Sequence, residues 1–409
     1  MQDLIIDSVG AKGDGVAAGP VYAPLTLPGE VVRAERQGDR AETVAVLAPS
    51  PDRVTPPCPH FGDCGGCALQ HWAPAPYLAW KADQIRLALA RERIEAEIAP
   101  AFAAPAHARR RLALHARAAG KGVALGFKAR RSWRLVEIGV CPIAHPALQA
   151  ALPALAALAK PFLEHPKSAP TLHVTRTETG LDVDVTGVER RSGGLSADAR
   201  VQAAERAAAG DFARVTLAGE IVYQARQPMV RLGRVLVALP PGGFLQAVPE
   251  AEAAMGDFAV RAIDGASRVA DLFCGVGTFS FRLAEVASVQ AADVSAASIK
   301  ALIAASGTAR GLKAITAEAR DLTRRPMLAA EMKRLDAVLF DPPRAGAAEQ
   351  AREIAASKVS IAVGVSCDPA TFARDARILT DGGFSLARVL PVDQFLWSPH
   401  VELAGVFVR

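Results

Sequence analysis

Nine residues, Asp271-Leu272-Phe273-Cys274-Gly275-Val276-Gly277-Thr278-Phe279, constrain this chain more than any other stretch. They follow the apolar pair Val269-Ala270 and open into Ser280-Phe281-Arg282-Leu283-Ala284, so the order is strand, glycine turn, helix. Glycine lets the backbone pass close beneath a ligand, because a side chain there would occupy the ligand's space. A helix start adds unpaired N–H groups and the positive end of a dipole. A nucleotide-like ligand is therefore expected at the tip of this strand.

Position 280 is Ser, so the third glycine of the dinucleotide fingerprint is missing and the NAD reading weakens. The next strand-like run, Val286 to Ala292, ends in Asp293, a carboxylate suited to accept from two ribose hydroxyls. After Ala337-Val338-Leu339-Phe340 comes Asp341-Pro342-Pro343-Arg344. Three strand tips thus carry Asp271, Asp293 and Asp341, and on a doubly wound sheet such tips share the edge where ligands bind. The set resembles a class I S-adenosylmethionine-dependent methyltransferase. That resemblance implies a Rossmann-like carboxy-terminal domain, at residues 240–409.

The 409 residues suffice for two to four domains. A net charge of +5 is mild for a nucleic-acid partner, but the basic residues are unevenly spread. Met1-Gln2-Asp3 opens on an acid, which predicts no secretory leader, and no apolar run reaches membrane-spanning length. A cytoplasmic protein with reduced thiols is expected.

Residues 1–50 alternate apolar and polar positions between glycines and Pro28-Gly29, the pattern of a small β-barrel. It resembles the OB-like TRAM domain. A Pro-rich connector then leads to Cys58, Cys64 and Cys67, spaced x5 and x2, with Gly62, Gly65 and Gly66 allowing tight turns. Cys141, in Val140-Cys141-Pro142, is the candidate fourth thiol, with His60 and His71 as other conceivable ligands. Four thiolates suit zinc or a [4Fe–4S] cluster, and spacing does not separate the two.

The segment C-x5-C-G-G-C-x2-Q-H resembles the iron–sulfur segment of bacterial RNA (uracil-5-)-methyltransferases of the 23S rRNA type. The resemblance implies a [4Fe–4S] cluster on Cys58, Cys64, Cys67 and Cys141. Residues 51–239 are accordingly expected to form the iron–sulfur segment and a β-rich middle domain that binds RNA. From Ala101 to Val136 there are no acids and nine basic residues: Arg109, Arg110, Arg111, Arg117, Lys121, Lys128, Arg130, Arg131 and Arg134. Alternation such as Leu112-Ala113-Leu114-His115-Ala116-Arg117 predicts strands with a basic face for RNA phosphates. Trp133 either stacks on a base or joins a core. His173 is expected to be structural, and Ala147 to Leu158 to be one helix.

Ser366-Cys367-Asp368-Pro369 follows the apolar run Val359 to Val365, which presents Cys367 at the ligand edge. Arg344 or a helix start after Pro369 is expected to favour its thiolate. Methyl transfer to nitrogen needs no nucleophile, whereas carbon 5 of uracil does. A thiolate added at carbon 6 makes carbon 5 nucleophilic, and a base must then remove its proton. Glu402, in His400-Val401-Glu402, is the candidate base. Asp-Pro-Pro-Arg also lacks the aromatic that follows Pro-Pro in many amino-group methyltransferases.

The family resemblance implies cofactor roles for Gln246, Phe273, Thr278, Asp293, Asp321 and Asp341, with Cys367 as nucleophile and Glu402 as base. Gln246 belongs to Phe244-x-Gln246, ahead of the cofactor domain. The reaction expected is methylation of carbon 5 of a 23S rRNA uridine through a Cys–C6 adduct, on a base flipped out of its stack. No membrane and no obligate protein partner are implied. The alternatives are a uridine in the T-loop of transfer RNA, DNA cytosine-5 methylation, and a non-catalytic RNA-binding protein with a relict fold. Ser366 speaks against the DNA reading, whose cysteine normally follows proline, and the set Asp341, Cys367 and Glu402 speaks against the last.

Overall fold

The structure is a computed structural model and describes residues 1–120, 122–189 and 194–409. Lys121 of the basic run lies outside the described residues. Strands Gln2–Val9, Asp14–Ala17, Val21–Pro24, Val31–Gln37 and Arg40–Ala48 close into a barrel around Ile6, Val21, Ala23, Val32 and Ala34. The expected small β-barrel is therefore present.

The middle sheet has seven strands in the order Leu135–Glu137, Gly122–Lys128, Arg111–Ala119, Thr171–Thr177, Gly180–Thr186, Arg214–Leu217 and Glu220–Gln224. Leu112, Leu114, Leu125, Leu172, Val174 and Val183 turn one face toward helices Leu152–Ala159 and Ala197–Ala209. The intervening residues face the other way, as the two-residue period of a strand requires. The helix expected from Ala147 to Leu158 is instead two, Pro146–Ala150 and Leu152–Ala159. Pro153 has no N–H to continue the first helix and is suited to the first turn of the second.

The third sheet runs in the order Ile315–Ala319, Ser288–Asp293, Arg268–Leu272, Ala337–Phe340, Ile361–Ser366, Glu402–Val408 and Ser385–Asp393. The first five strands are parallel, and Glu402–Val408 is antiparallel to both its neighbours. Alternate residues enter two different cores. Val269, Val289 and Leu339 pack on one face; Ala270, Leu272, Val338 and Phe340 pack on the other. Such double burial is why these strands read as unbroken apolar runs.

Residues ahead of 240 reach into this unit. Helix Pro74–Arg91 places Ile85, Ala88 and Leu89 in the same core as Val338. Strands Glu97–Ile98 and Phe102–Ala103 pair with Ser385–Asp393. Among the described residues, no helix is long and apolar enough to cross a membrane.

Candidate active site

A cavity of about 960 Å³ lies at the carboxyl ends of the parallel strands. Gln246, Phe273, Thr278, Asp293, Asp321, Asp341, Cys367 and Glu402 all line it. Local geometry explains how. The backbone takes positive φ at Phe273 (63°), Gly275 (55°) and Gly277 (95°), which turns the chain sharply out of strand Arg268–Leu272. A Cβ on Gly277 would fall 2.6 Å from the Phe281 ring, so the turn and the helix after it pack only with glycine there. Gly275 N–H donates to Asp293 Oδ2 at 3.0 Å, and Ser295 N–H to its Oδ1 at 2.8 Å. The second strand tip is thereby locked to the first.

Asp271 behaves differently from the expectation. It is fully buried behind the turn and accepts from Ser280 Oγ at 2.5 Å, rather than lining the cavity. Burial pushes its carboxyl up to about 7. Its Oδ2 fastens the glycine turn to the following helix, while Oδ1 is buried without a hydrogen-bond partner.

The reactive end of the cavity is a connected set of buried polar groups. Gln246 Nε2 donates to Asp341 Oδ2 at 3.1 Å. Gln394 Nε2 donates to Gln246 Oε1 and to Glu402 Oε2, both at 2.7 Å. Burial raises Asp341 to about 7, against the hydrogen bond from Gln246. Burial and then Asp341 raise Glu402 to about 8, against the hydrogen bond from Gln394. Burial thus holds both carboxyls above the ordinary carboxylate range.

Cys367 stands at the end of strand Ile361–Ser366, beside the pair. Burial, with Glu402 and Asp341 nearby, pushes its thiol up to about 11. The expected thiolate activation is therefore not built into the chain alone. Arg344 is drawn toward Asp368 at 3.3 Å and lowers the thiol least among its neighbours. The start of helix Pro369–Asp381 is capped by Asp368, whose Oδ1 accepts from Ala370 N–H at 3.0 Å and Thr371 N–H at 3.3 Å. A cation placed between these groups would favour the thiolate and both carboxylates together.

The cavity opens onto the exposed face of the middle sheet: Arg111, Ala113, His173 and Thr175 line its wall. His173, expected to be structural, faces this wall and contacts Thr186 Oγ1 at 3.1 Å. The basic run divides into different jobs. Arg110 is buried, donates to Gln246 O at 2.9 Å and pairs with Glu252 at 2.5 Å. Arg130 and Arg131 hold Asp14 of the barrel, and Arg134 holds Asp63. Arg111 is engaged in the cavity wall, donating to Leu245 O at 2.9 Å, while Arg117 and Lys128 stay on the open face, and Lys128 Nζ lies 3.8 Å from the centroid of the Trp133 ring. Trp133 is 78% exposed, so it belongs to no core.

A second cavity, of about 320 Å³, is lined by Cys58, Cys64, Cys67 and Cys141, together with His60, Gln70, Phe395, Ser398 and His400. All six cysteines are free. Among the described residues no group of three or more His, Cys, Asp or Glu could hold a single metal ion. A single zinc needs its sulfurs within ~2.3 Å of one point, whereas a four-iron cluster spreads four thiolates around a larger body. The four thiols line one cavity, and either group would need all four. His71, also considered as a ligand, is buried outside this lining, with neither ring nitrogen hydrogen-bonded.

Two features escaped the sequence. Gln394 carries no motif, and its position became meaningful only once strand pairing set it beside Glu402. Asp393 forms a buried pair with Lys81 at 2.5 Å and accepts from Tyr77 at 2.7 Å, across more than 300 residues. The spacing of Tyr77, Lys81 and Ile85 does signal one buried helix face, but a lysine in that stripe has no sequence-level partner.

Comparison with known proteins gives this geometry a family. Residues 234–409 match the tRNA (Uracil-5-)-methyltransferase family. The chain is 66% identical to an uncharacterized RNA methyltransferase of Caulobacter vibrioides, over 100% of both chains. It is 35% identical to the 23S rRNA (uracil(1939)-C(5))-methyltransferase RlmD of Halomonas elongata, over 98% of this chain and 88% of that one. Its fold matches the crystal structure of Pyrococcus abyssi tRNA (uracil-54, C5)-methyltransferase in complex with S-adenosyl-L-homocysteine, with a TM-score of 0.74, 23% identity and 100% of both chains covered. The chain belongs to the RNA (uracil-5-)-methyltransferase family. It is an S-adenosylmethionine-dependent enzyme that methylates carbon 5 of uracil in RNA.

Proposed function

We propose that the substrate is a uridine of 23S ribosomal RNA, methylated through a covalent adduct between Cys367 and carbon 6. The observation that carries this reading is the single cavity that gathers Cys367, Glu402, Asp341 and Asp293 and opens onto a basic sheet face. S-Adenosylmethionine, when bound, supplies a methyl group on a sulfonium. Asp293 accepts from its ribose hydroxyls, and Gln246, Phe273, Thr278, Asp321 and Asp341 line the rest of its site. The glycine turn fits such a ligand, since nothing lies within 4 Å of where a Cβ on Gly275 would be.

The Cys367 thiol releases its proton to solvent, the thiolate sulfur adds to carbon 6, and the ring electrons move toward carbon 5 and its carbonyl neighbour. Carbon 5 then takes the methyl. Glu402 removes the proton left on carbon 5; the C5=C6 double bond re-forms, and the C6–S electron pair returns to sulfur. The open face of the middle sheet holds the surrounding RNA by its phosphates. Burial raises both Asp341 and Glu402, and a sulfonium charge beside them would favour their anions.

In this reading Cys58, Cys64, Cys67 and Cys141 hold a [4Fe–4S] cluster, which supplies one anchor to two loops, the segment of the first three cysteines and that of Cys141. No electron transfer is assigned to it. The relative from Halomonas elongata and the cysteine spacing support ribosomal RNA. The description of the family matching residues 234–409 favours transfer RNA instead, with the T-loop uridine as target. A cytoplasmic location belongs to either version.

The test is trapping on RNA carrying 5-fluorouridine, from which fluorine cannot leave as a cation. A denaturation-resistant complex that needs Cys367 and forms on 23S fragments, but not on transfer RNA, is expected. A complex on transfer RNA alone moves the substrate to the T-loop. No complex on either, with cofactor binding verified, removes the adduct mechanism.

A further inference from the structure

Glu402 is held by one side chain. Gln394, 2% exposed, follows directly on strand Ser385–Asp393, whose Val392 pairs in register with Glu402. Its amide has no freedom of orientation. Ala247 N–H donates to Gln394 Oε1 at 3.0 Å, and a backbone N–H only donates, so the oxygen must lie on that side. Both amide hydrogens are then sent the other way, one to Glu402 Oε2 and one to Gln246 Oε1. Gln246, having accepted through oxygen, turns its own NH2 to Asp341 Oδ2. The chain Ala247, Gln394, Gln246, Asp341 is polarised in one direction, with a branch to Glu402.

The neighbours of Gln394 are fixed as firmly. Asp393 is bound by Lys81 and Tyr77 of helix Pro74–Arg91. Lys81 also donates to Phe395 O at 3.3 Å and His400 O at 2.5 Å, and Tyr77 Oη accepts from Trp397 N–H at 2.8 Å. The loop that carries the chain from Gln394 to Glu402 is therefore pinned at both ends and in the middle.

We propose that Gln394 is a positioning residue that aims Glu402 at the carbon 5 proton and sets its distance from the cofactor side of the cavity. The inference rests on the reading of Glu402 as the base. An amide takes up no proton at working pH, so Gln394 acts through Glu402 alone. Its donated hydrogen bond favours the carboxylate over the acid, against burial and against Asp341.

The consequence falls on one step. Adding the Cys367 sulfur and accepting the methyl do not consume Glu402. Resolving the adduct does: the carbon 5 proton passes to a Glu402 oxygen, its bonding pair re-forms C5=C6, and the C6–S pair returns to Cys367. Removing the donors of Gln394 should leave adduct formation intact and slow its resolution.

The variant is Gln394→Met, which keeps the length of the side chain and removes both donors. On ordinary uridine RNA it is expected to accumulate the denaturation-resistant, methylated adduct, with kcat about 10- to 100-fold lower. KM for RNA should stay within about twofold, as for loss of an interaction made after binding. The rising limb of the kcat–pH profile should move to higher pH, a change that mere loosening of the fold would not produce. Gln394→Asn, which keeps the amide and shortens its reach, takes its place if the Met variant does not fold, with the same signs expected. Wild-type protein on 5-fluorouridine RNA is the control. If the wild type forms no adduct there, the adduct mechanism fails and the inference with it. If the wild type is trapped but the variant accumulates no uridine adduct and keeps its pH limb, the inference alone is overturned. It is also overturned if the variant loses trapping or S-adenosylhomocysteine binding, since Gln394 would then support the cavity as a whole.

Discussion

The two cavities are neighbours built on opposite plans. The first takes most of its side chains from strand tips and the turns that follow them, so those groups are held by a hydrogen-bonded sheet, with Gln246 added from the segment ahead of helix Pro249–Ala262. The cysteine cavity takes its thiols from loops: Cys58, Cys64, Cys67 and Cys141 all lie outside regular strands and helices. They share a wall. Arg109 and Phe395 line both, with the guanidinium 5.8 Å from the ring centroid. Ala68 and Leu69 N–H groups, beside Cys67, both donate to Trp397 O in the loop leading to Glu402, at 2.8 and 3.0 Å. A sheet positions groups by itself; loops need an added cross-link, and the four thiols converge where one would sit. On the proposed function the comparison teaches a division of labour, with chemistry at the strand tips and shape at the cysteines.

The sharpest way to break that division is to cut each side separately. Cys367→Ala should lower turnover by at least about 10³-fold and leave the melting temperature within a few degrees. Glu402→Gln should still form the adduct and fail to release it. If the proposed cluster is held there, Cys141→Ser should do the reverse: lose iron and visible absorbance, and lower the melting temperature by about 10 °C or more. Iron analysis, calorimetry and gel-shifted adduct separate the outcomes. A Cys141→Ser protein of unchanged melting temperature that no longer forms adduct would place chemistry on the cysteine side and end the distinction.

How far each cavity was legible in the sequence follows from the same contrast. Asp293, Asp341 and Cys367 are readable because the first two directly end apolar runs and Cys367 follows one after Ser366 alone, and a parallel sheet turns "end of run" into "one edge". The barrel and the middle strands were readable from alternation alone. Asp271 misled, since a strand-tip carboxylate one turn too early is buried by the helix it precedes. Thiolate activation misled as well: proximity of Arg344 and a helix start ignored Asp368, which engages both. The basic run was read as one face, yet Arg110, Arg130, Arg131 and Arg134 are committed to carboxylates from distant parts of the chain. Partners that far apart are fixed by tertiary packing, and periodicity carries no record of them. Gln394 and Lys81 were invisible for the same reason.

A smaller effect sharpens the outer reach of the catalytic side. The hairpin end carrying Trp133 is tied to the barrel through Asp14 and to the cysteine segment through Asp63 and the Gly65 N–H bond to Lys128 O at 2.9 Å. An exposed ring so firmly mounted, with Lys128 over one side, suits stacking against an unpaired base. Trp133→Ala should weaken RNA binding by about 1–3 kcal/mol and leave kcat at saturating RNA unchanged. Equal affinity of the two proteins, measured by filter binding at fixed salt, would remove Trp133 from the RNA path and leave the basic face to act through phosphates alone.

The smallest effect tests what prepares the catalytic cavity for its cofactor. Asp341 and Glu402 have folded-state values near 7 and 8, above their ordinary 3.8 and 4.5. A carboxyl raised on folding contributes stability that is complete below its unfolded value and is lost as pH rises through the folded one. The ligand-free protein should therefore lose stability between about pH 5 and pH 8 from this pair. A sulfonium beside them acts in the opposite sense, because it favours the anions that burial disfavours. The stabilisation conferred by S-adenosylmethionine should thus grow from pH 6 to pH 8.5, with affinity rising by at most about tenfold per pH unit for each proton released. S-Adenosylhomocysteine lacks the sulfonium charge and should show a flatter dependence. Melting curves with each ligand across that range decide it. Parallel curves would mean that the carboxylates do not sense the sulfonium, and that the cavity, like its cysteine neighbour, contributes shape rather than charge to what it binds.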